Sequence, residues 1–196
     1  MRKLIALMML ALITTAVAAE DVESVQPAAP ATNAAPERIE RDGLSVTFTG
    51  AAPRNRTGYD TPWHYSAALR AGDFVYLSGT IIGAAPGDTL PLSRERFRES
   101  TEAAFERMER YLAAADASLA GLAKINTFHV LDGKVTEMAI DEQALVIAEV
   151  KQSYTEEPHP AWTAVGTSGL FAPLGIVEIE VVVYAPLSAA PQERGQ

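Results

Sequence analysis

Glu178 and Glu180 stand two residues apart in the run Ile176–Val183, whose other members are all Ile or Val. On a strand that spacing points both carboxylates to one face, while Val177, Ile179 and Val181 point to the other. Two readings follow: a wetted strand face, or a site where a partly buried glutamate handles protons. The second needs partners from elsewhere in the chain. The run closes the stretch Pro158–Tyr184, which also holds the β-rich run Thr163–Gly166 and a turn-rich link with Gly169, Pro173 and Gly175.

Other chemistries lack their spacing. His64, His129 and His159 lie far apart with no HExxH pairing, so no metal site is expected and each histidine reads as structural or exposed. Gly166-Thr167-Ser168-Gly169 is one residue short of a nucleophile elbow and sits between strands. The loop Gly83–Leu92 lacks the lysine of a phosphate-binding loop. Asn55-Arg56-Thr57 matches a glycosylation sequon, a short motif frequent by chance.

The positioning elements can be read from periodicity. Leu44, Val46 and Phe48 alternate with polar residues, as in a half-buried strand. His64–Leu69 and Phe74–Ser78 flank the turn residues Arg70-Ala71-Gly72-Asp73 and predict a hairpin, with Gly79 ending or bending the second strand and Thr80–Ile82 extending it. Ser93 to about Ala115 predicts a helix with Phe97, Thr101, Ala104, Phe105, Met108 and Leu112 on one face and charged i,i+4 pairs on the solvated remainder. Lys124–Leu131 predicts a strand, and Glu137 to about Tyr154 a less regular second helix stopped by Pro158. The order is that of an α+β domain in which two helices cover one sheet face.

The 196 residues have room for one domain plus tails. Residues 1–19 carry Arg2 and Lys3, an apolar run too short to span a bilayer, and a small-residue end, which together predict a secretory signal peptide. Residues 20–42, rich in Ala and Pro, read as a disordered linker; 43–187 are the domain and 188–196 a tail. The expected location is periplasmic or secreted, with no stable membrane association once the leader is removed. The chain has no cysteine, hence no disulfide framework. Losing the leader takes away two basic residues and no acidic one, moving the formal net charge from −9 to −11, a balance that argues against nucleic acid as a partner.

Tyr65-Ser66, Phe74-Val75-Tyr76-Leu77-Ser78-Gly79, the helix after Ser93, Lys124-Ile125-Asn126-Thr127-Phe128, Pro160-Ala161 and Val177-Glu178-Ile179-Glu180, taken in that order and context, resemble the RidA family, also called YjgF-like proteins or reactive intermediate deaminases. The resemblance covers roughly Pro62–Pro186. It implies a chorismate-mutase-like α+β subunit, a mixed sheet covered by two helices, that assembles as a homotrimer with clefts between neighbours. It also implies cofactor-free hydrolysis of small imines or enamines to 2-keto acids and ammonia. By the same resemblance Tyr65 and Ser78 orient the substrate and Glu178 positions or activates water, while Gly79 and Ala164 contact the bound molecules.

One departure bears on recognition. The family places an arginine directly after Pro-Ala to grip the substrate carboxylate, and Trp162 stands there instead; Leu145 stands near the place of a family asparagine, and the segment from Trp162 to Glu178 is one residue longer. An indole offers one N–H and an apolar face but no charge. The chain is therefore expected to be a hydrolase with altered substrate recognition involving Trp162, or a non-catalytic small-molecule-binding or structural trimer.

Overall fold

The computed structural model describes residues 37–48 and 58–187, all within one folded unit. The expected leader, most of the linker, the sequon and the tail 188–196 lie outside these residues. Seven strands are present among them: β1 (Glu37–Arg41), β2 (Leu44–Phe48), β3 (Ala68–Ala71), β4 (Phe74–Gly83), β5 (Leu122–Val130), β6 (Ala161–Thr167) and β7 (Gly175–Tyr184). They form one mixed sheet in the order β1-β2-β3-β4-β7-β5-β6, antiparallel except for the β5–β6 pair. Helices α1 (Arg94–Ala114) and α2 (Ile140–Lys151) supply the second layer. The expected α+β architecture is the observed one.

α1 follows its periodicity closely. The Ser93 hydroxyl accepts a hydrogen bond from the Arg96 N–H and starts the helix, and its buried side chains are the six expected ones. The five apolar ones pack with Val146, Ile147 and Val150 of α2 against Val75, Leu77, Ile125, Ile179 and Val181 of the sheet. On the wet side Arg98 pairs with Glu102 at 3.1 Å, and Arg94 and Arg98 also reach Glu149 of α2 at 3.1 and 2.8 Å.

Three boundaries differ from the sequence expectation, each for a local reason. The end of the expected linker, Glu37–Arg41, is strand β1, joined to β2 by Asp42-Gly43 with both residues at positive φ; Asp-Gly is a favoured hairpin turn. The strand expected from His64 begins only at Ala68, because His64 N–H and Tyr65 N–H donate to the carbonyls of Thr61 and Gly58 and fold the segment into turns. α2 starts at Ile140 because Thr136 bridges to Leu92 and its hydroxyl accepts from the Met138 N–H, holding the preceding chain extended. No helix among the described residues is long and apolar enough to cross a membrane.

The sequence placed Arg70 among the turn residues of the hairpin. The structure instead buries it, at 3 % exposure, on β3. Its guanidinium donates to the carbonyls of Ala115, Asp116, Gly72 and Ala185, tying the end of α1 to the β3–β4 turn and to the exit of β7.

Candidate active site

Strand β7 lies between β4 and β5, and its alternation buries Val177, Ile179 and Val181 against the helices while leaving Glu178, Glu180 and Val182 half-buried on the opposite face. Glu178 is in register with Ile81 of β4 and Phe128 of β5, and Glu180 with Asn126. The pairing of β4 with β7 runs from Leu77↔Val181 to Thr80↔Ile179, so Ser78 and Gly79 together oppose Glu180 alone. This β-bulge, rather than an end of the strand, is the bend expected at Gly79.

The bulge creates the site. The Glu178 carboxyl folds onto Gly79, where any Cβ would collide with it. Only glycine leaves that space. Beside it the Ser78 hydroxyl donates to the Ser66 carbonyl at 2.7 Å, and the Ser78 N–H donates to the Ala67 carbonyl at 3.0 Å. These two bonds hold the 65–67 segment next to the bulge. Tyr65, half exposed, rests its ring against the buried Gly58. Ser78, Gly79 and Glu178 are therefore gathered in one protomer, with Tyr65 tethered to them through its neighbour Ser66.

Burial raises the pKa of Glu178 above its ordinary value, and the nearby Glu180 charge pushes in the same direction. The Asn126 amide stands 3.5 Å from the Glu180 carboxylate. A half-buried carboxyl whose affinity for its proton has been increased in this way can both take and return a proton. Gly79→Ala should force that carboxyl outward. It is expected to change stability little, since the carboxyl is the far end of a flexible side chain, and to move the Glu178 titration back toward the ordinary range, as read by urea denaturation and carboxyl NMR. An alanine variant with an unchanged Glu178 titration would contradict this account of the bulge.

Trp162 and Ala164 are not brought to this place within the protomer. They align with Ile125 and Thr127 of β5, which are buried on the helix side of the sheet, so both face away from Glu178. The Trp162 indole N–H donates to the Thr127 hydroxyl oxygen at 3.0 Å. The direction of each bond in this cluster can be deduced. The Gln143 amide donates to the carbonyls of Met138 and Val130, so its oxygen accepts from His129 Nδ1 at 2.9 Å. His129 Nε2 then accepts the Thr127 proton at 2.8 Å, which frees the Thr127 oxygen to accept from Trp162. Burial lowers the His129 pKa and favours the neutral ring this chain of bonds requires. His129 is thus structural. Leu145 is exposed on α2.

Sequence reasoning missed two features near the site. Trp63 and Phe171, 71 % and 93 % exposed, meet edge to face at 5.8 Å between ring centroids. Both lie in turns without periodicity, which gives no sign that they meet. The other is a cleft beside Gly79, lined by α1 and Ala172–Gly175. Among the described residues no cluster of three or more His, Cys, Asp or Glu could hold a metal ion.

The family model described as endoribonuclease L-PSP matches residues 59–185, which takes in every strand except the β1–β2 hairpin. A RutC family protein, YjgH of Escherichia coli K12, is 28 % identical over 125 residues, covering 64 % of this chain and 87 % of its own. A YjgF/YER057c/UK114 family member from Mycobacterium tuberculosis is 26 % identical with a TM-score of 0.49, covering 66 % of this chain and 93 % of its own. RidA from an Antarctic Psychrobacter is 29 % identical with a TM-score of 0.47, covering 63 % and 90 %. Since the family match spans most of the chain and includes the bulge at Ser78-Gly79 and the carboxylate above it, this protein belongs to the RidA/YjgF family.

Proposed function

We propose that this protein is a cofactor-free hydrolytic deaminase acting on a small imine or enamine. The observation that carries this reading is the half-buried Glu178 carboxyl lying on Gly79 beside Ser78. Water adds to the imine carbon while the Glu178 carboxylate takes its proton. Returned to nitrogen, that proton gives a carbinolamine; the hydroxyl proton then passes by way of the same carboxylate to the nitrogen as the C=O bond forms and the C–N bond breaks, leaving a carbonyl compound and ammonia. Ser78 and Tyr65 orient the substrate, and the backbone at Gly79 and near Ala164 provides further contacts. The test is turnover of freshly generated 2-iminobutyrate by the wild-type protein. Its absence would favour a binding or structural protein, a reading that one observation supports: Trp162 replaces the expected arginine, and its only donor is engaged by Thr127.

Assembly is part of the proposal. Phe74, Tyr76 and Tyr184 stand exposed on the sheet face that carries Glu178, with Phe74 and Tyr184 packed at 5.4 Å between centroids, and Val165 shares that face on β6. Apolar area of this kind is what further copies of the chain would cover. Trp162 and Ala164 sit on the edge strand, away from Glu178, so the two groups of residues would share a cleft only between copies. Light scattering on the protein lacking residues 1–19 is expected to give a trimer. A monomer would remove the shared cleft. With a leader expected at residues 1–19, the activity would belong in the periplasm or outside the cell, and the net charge of −9 disfavours a nucleic-acid substrate.

A further inference from the structure

Trp63 stands just before His64 and Tyr65, in a loop that is stitched in place. The Thr61 hydroxyl donates to the Gly58 carbonyl at 2.8 Å and accepts from the Trp63 N–H at 3.4 Å, while the His64 N–H donates to the Thr61 carbonyl at 3.1 Å. His64, at a φ of 46°, turns the chain between the two aromatic residues. The loop is ordered, yet its indole does not enter the core; it stays exposed and meets the equally exposed ring of Phe171. Large apolar rings gathered at the surface mark a binding surface.

Phe171 reaches this meeting point from the other side of the site. Its neighbour Leu170 packs on Gly175, where a Cβ would lie 3.0 Å from Leu170 Cδ1 and 3.2 Å from Ile81 Cγ2. Ile81 is directly in register with Glu178, so the two side chains share a sheet face. Leu170 therefore brings the Phe171 loop onto the Glu178 face, against the residue paired with Glu178. Two backbone bonds pin that loop: Gly175 N–H to the Ala172 carbonyl at 2.9 Å, and Ala84 N–H to the Leu174 carbonyl at 3.0 Å.

The two approaches close a circuit. On one side Glu178 lies on Gly79, and the Ser78 hydroxyl leads to Ser66 and so to Tyr65 and Trp63. On the other, Glu178 faces Ile81, and Leu170 leads to Phe171. The contact between Trp63 and Phe171, 5.8 Å between centroids and 65° between planes, joins the ends. The aromatic pair is thus part of the rim around the Glu178 carboxyl.

We propose that Trp63 and Phe171 select the side chain of the substrate, and that this side chain is an aromatic ring. The pair offers an indole and a phenyl surface without charge. A third ring gains apolar burial and ring–ring contact there that a methyl or ethyl group does not. The substrate class is then an imine or enamine carrying an aryl group. This rests on the hydrolytic reading above for the reaction, but not for the binding itself.

The experiment compares binding of 3-phenyl-2-oxopropanoate and 2-oxobutanoate, carbonyl compounds alike at the reacting end and different in side chain, by NMR titration. Wild type is expected to bind the phenyl compound about tenfold more tightly. The chain has two tryptophans, Trp63 and Trp162, and the indole N–H signal missing from Trp63→Phe is the one the phenyl compound should shift in wild type. Both rings are exposed, so alanine variants keep the core. Trp63→Ala and Phe171→Ala should each weaken the phenyl compound by about fivefold or more and leave 2-oxobutanoate unchanged. Equal affinity for the two compounds in wild type, binding of neither, or ring selectivity surviving in both alanine variants overturns the proposal. So does a fall in the light-scattering mass of either variant, which would assign the pair to contact between copies. Ring selectivity kept in Glu178→Gln supports the selection whether or not wild type hydrolyses an imine, whereas turnover of 2-iminobutyrate without ring selectivity leaves the hydrolytic reading standing and ends this one.

Discussion

Turnover of 2-iminobutyrate is expected to fall by about 10²–10⁴-fold in Glu178→Gln, with the fold intact. Glutamine keeps the shape that lies on Gly79 but can no longer take a proton from water. The pH profile should identify the group. Burial, and then the Glu180 charge, hold the Glu178 pKa above the ordinary carboxylate value. As a base it must be ionised, so the rate should rise with pH through a midpoint above that value, and Glu180→Gln should move the midpoint down. The same shift sets the sign for stability. A folded-state pKa above the unfolded one means the folded protein binds the proton more tightly, a contribution present below the unfolded pKa and lost as pH rises through the folded one. Above that pH the ionised side chain is a cost that glutamine removes, so the variant should unfold at the same temperature as wild type or higher. Full turnover in Glu178→Gln would end the assignment of Glu178 as the water-handling group.

The largest effect on stability is expected at Arg70. Its buried guanidinium serves the end of α1, the β3–β4 turn and Ala185 at once, through bonds of 2.7 to 3.1 Å to four carbonyls and to no carboxylate among the described residues. The carbonyls at Ala115 and Asp116 belong to a helix C-terminus, where positive charge is favoured. Arg70→Met fills much of the volume and leaves these acceptors unanswered. A loss of about 3–5 kcal/mol is expected in urea denaturation, a large share of the stability of an ordinary domain. Arg70→Lys should recover only part, because an ammonium cannot span carbonyls on three segments with a planar fork. A methionine variant within about 1 kcal/mol of wild type would show that water satisfies the carbonyls as well as arginine does.

Much of the fold was legible because it rests on local periods. The buried face of α1, the two faces of β7 and the hairpin around Gly72 follow from spacings of 3.6 and 2 and from turn residues. β1 carried a readable sign as well, the Asp42-Gly43 pair, which Ala/Pro composition nearby outweighed. Arg70 carried none, since an arginine beside Ala-Gly-Asp reads as surface until α1 and Ala185 are seen to close over it. For Trp162 the sequence shows only that it stands where the family has an arginine; that it aligns with Ile125 and gives its N–H to Thr127 follows from the β5–β6 register.

The sequence by itself determined which residues are able to do chemistry, which stripe of each element is apolar, and to which family the order of motifs belongs. Tertiary structure decided which of those residues meet. A bulge of one residue set Gly79 beneath Glu178, and the register of β5 with β6 turned Trp162 to the opposite face. The reason is the strand period of two: a shift of one residue exchanges the faces, and that register is set by pairing between segments distant in the chain.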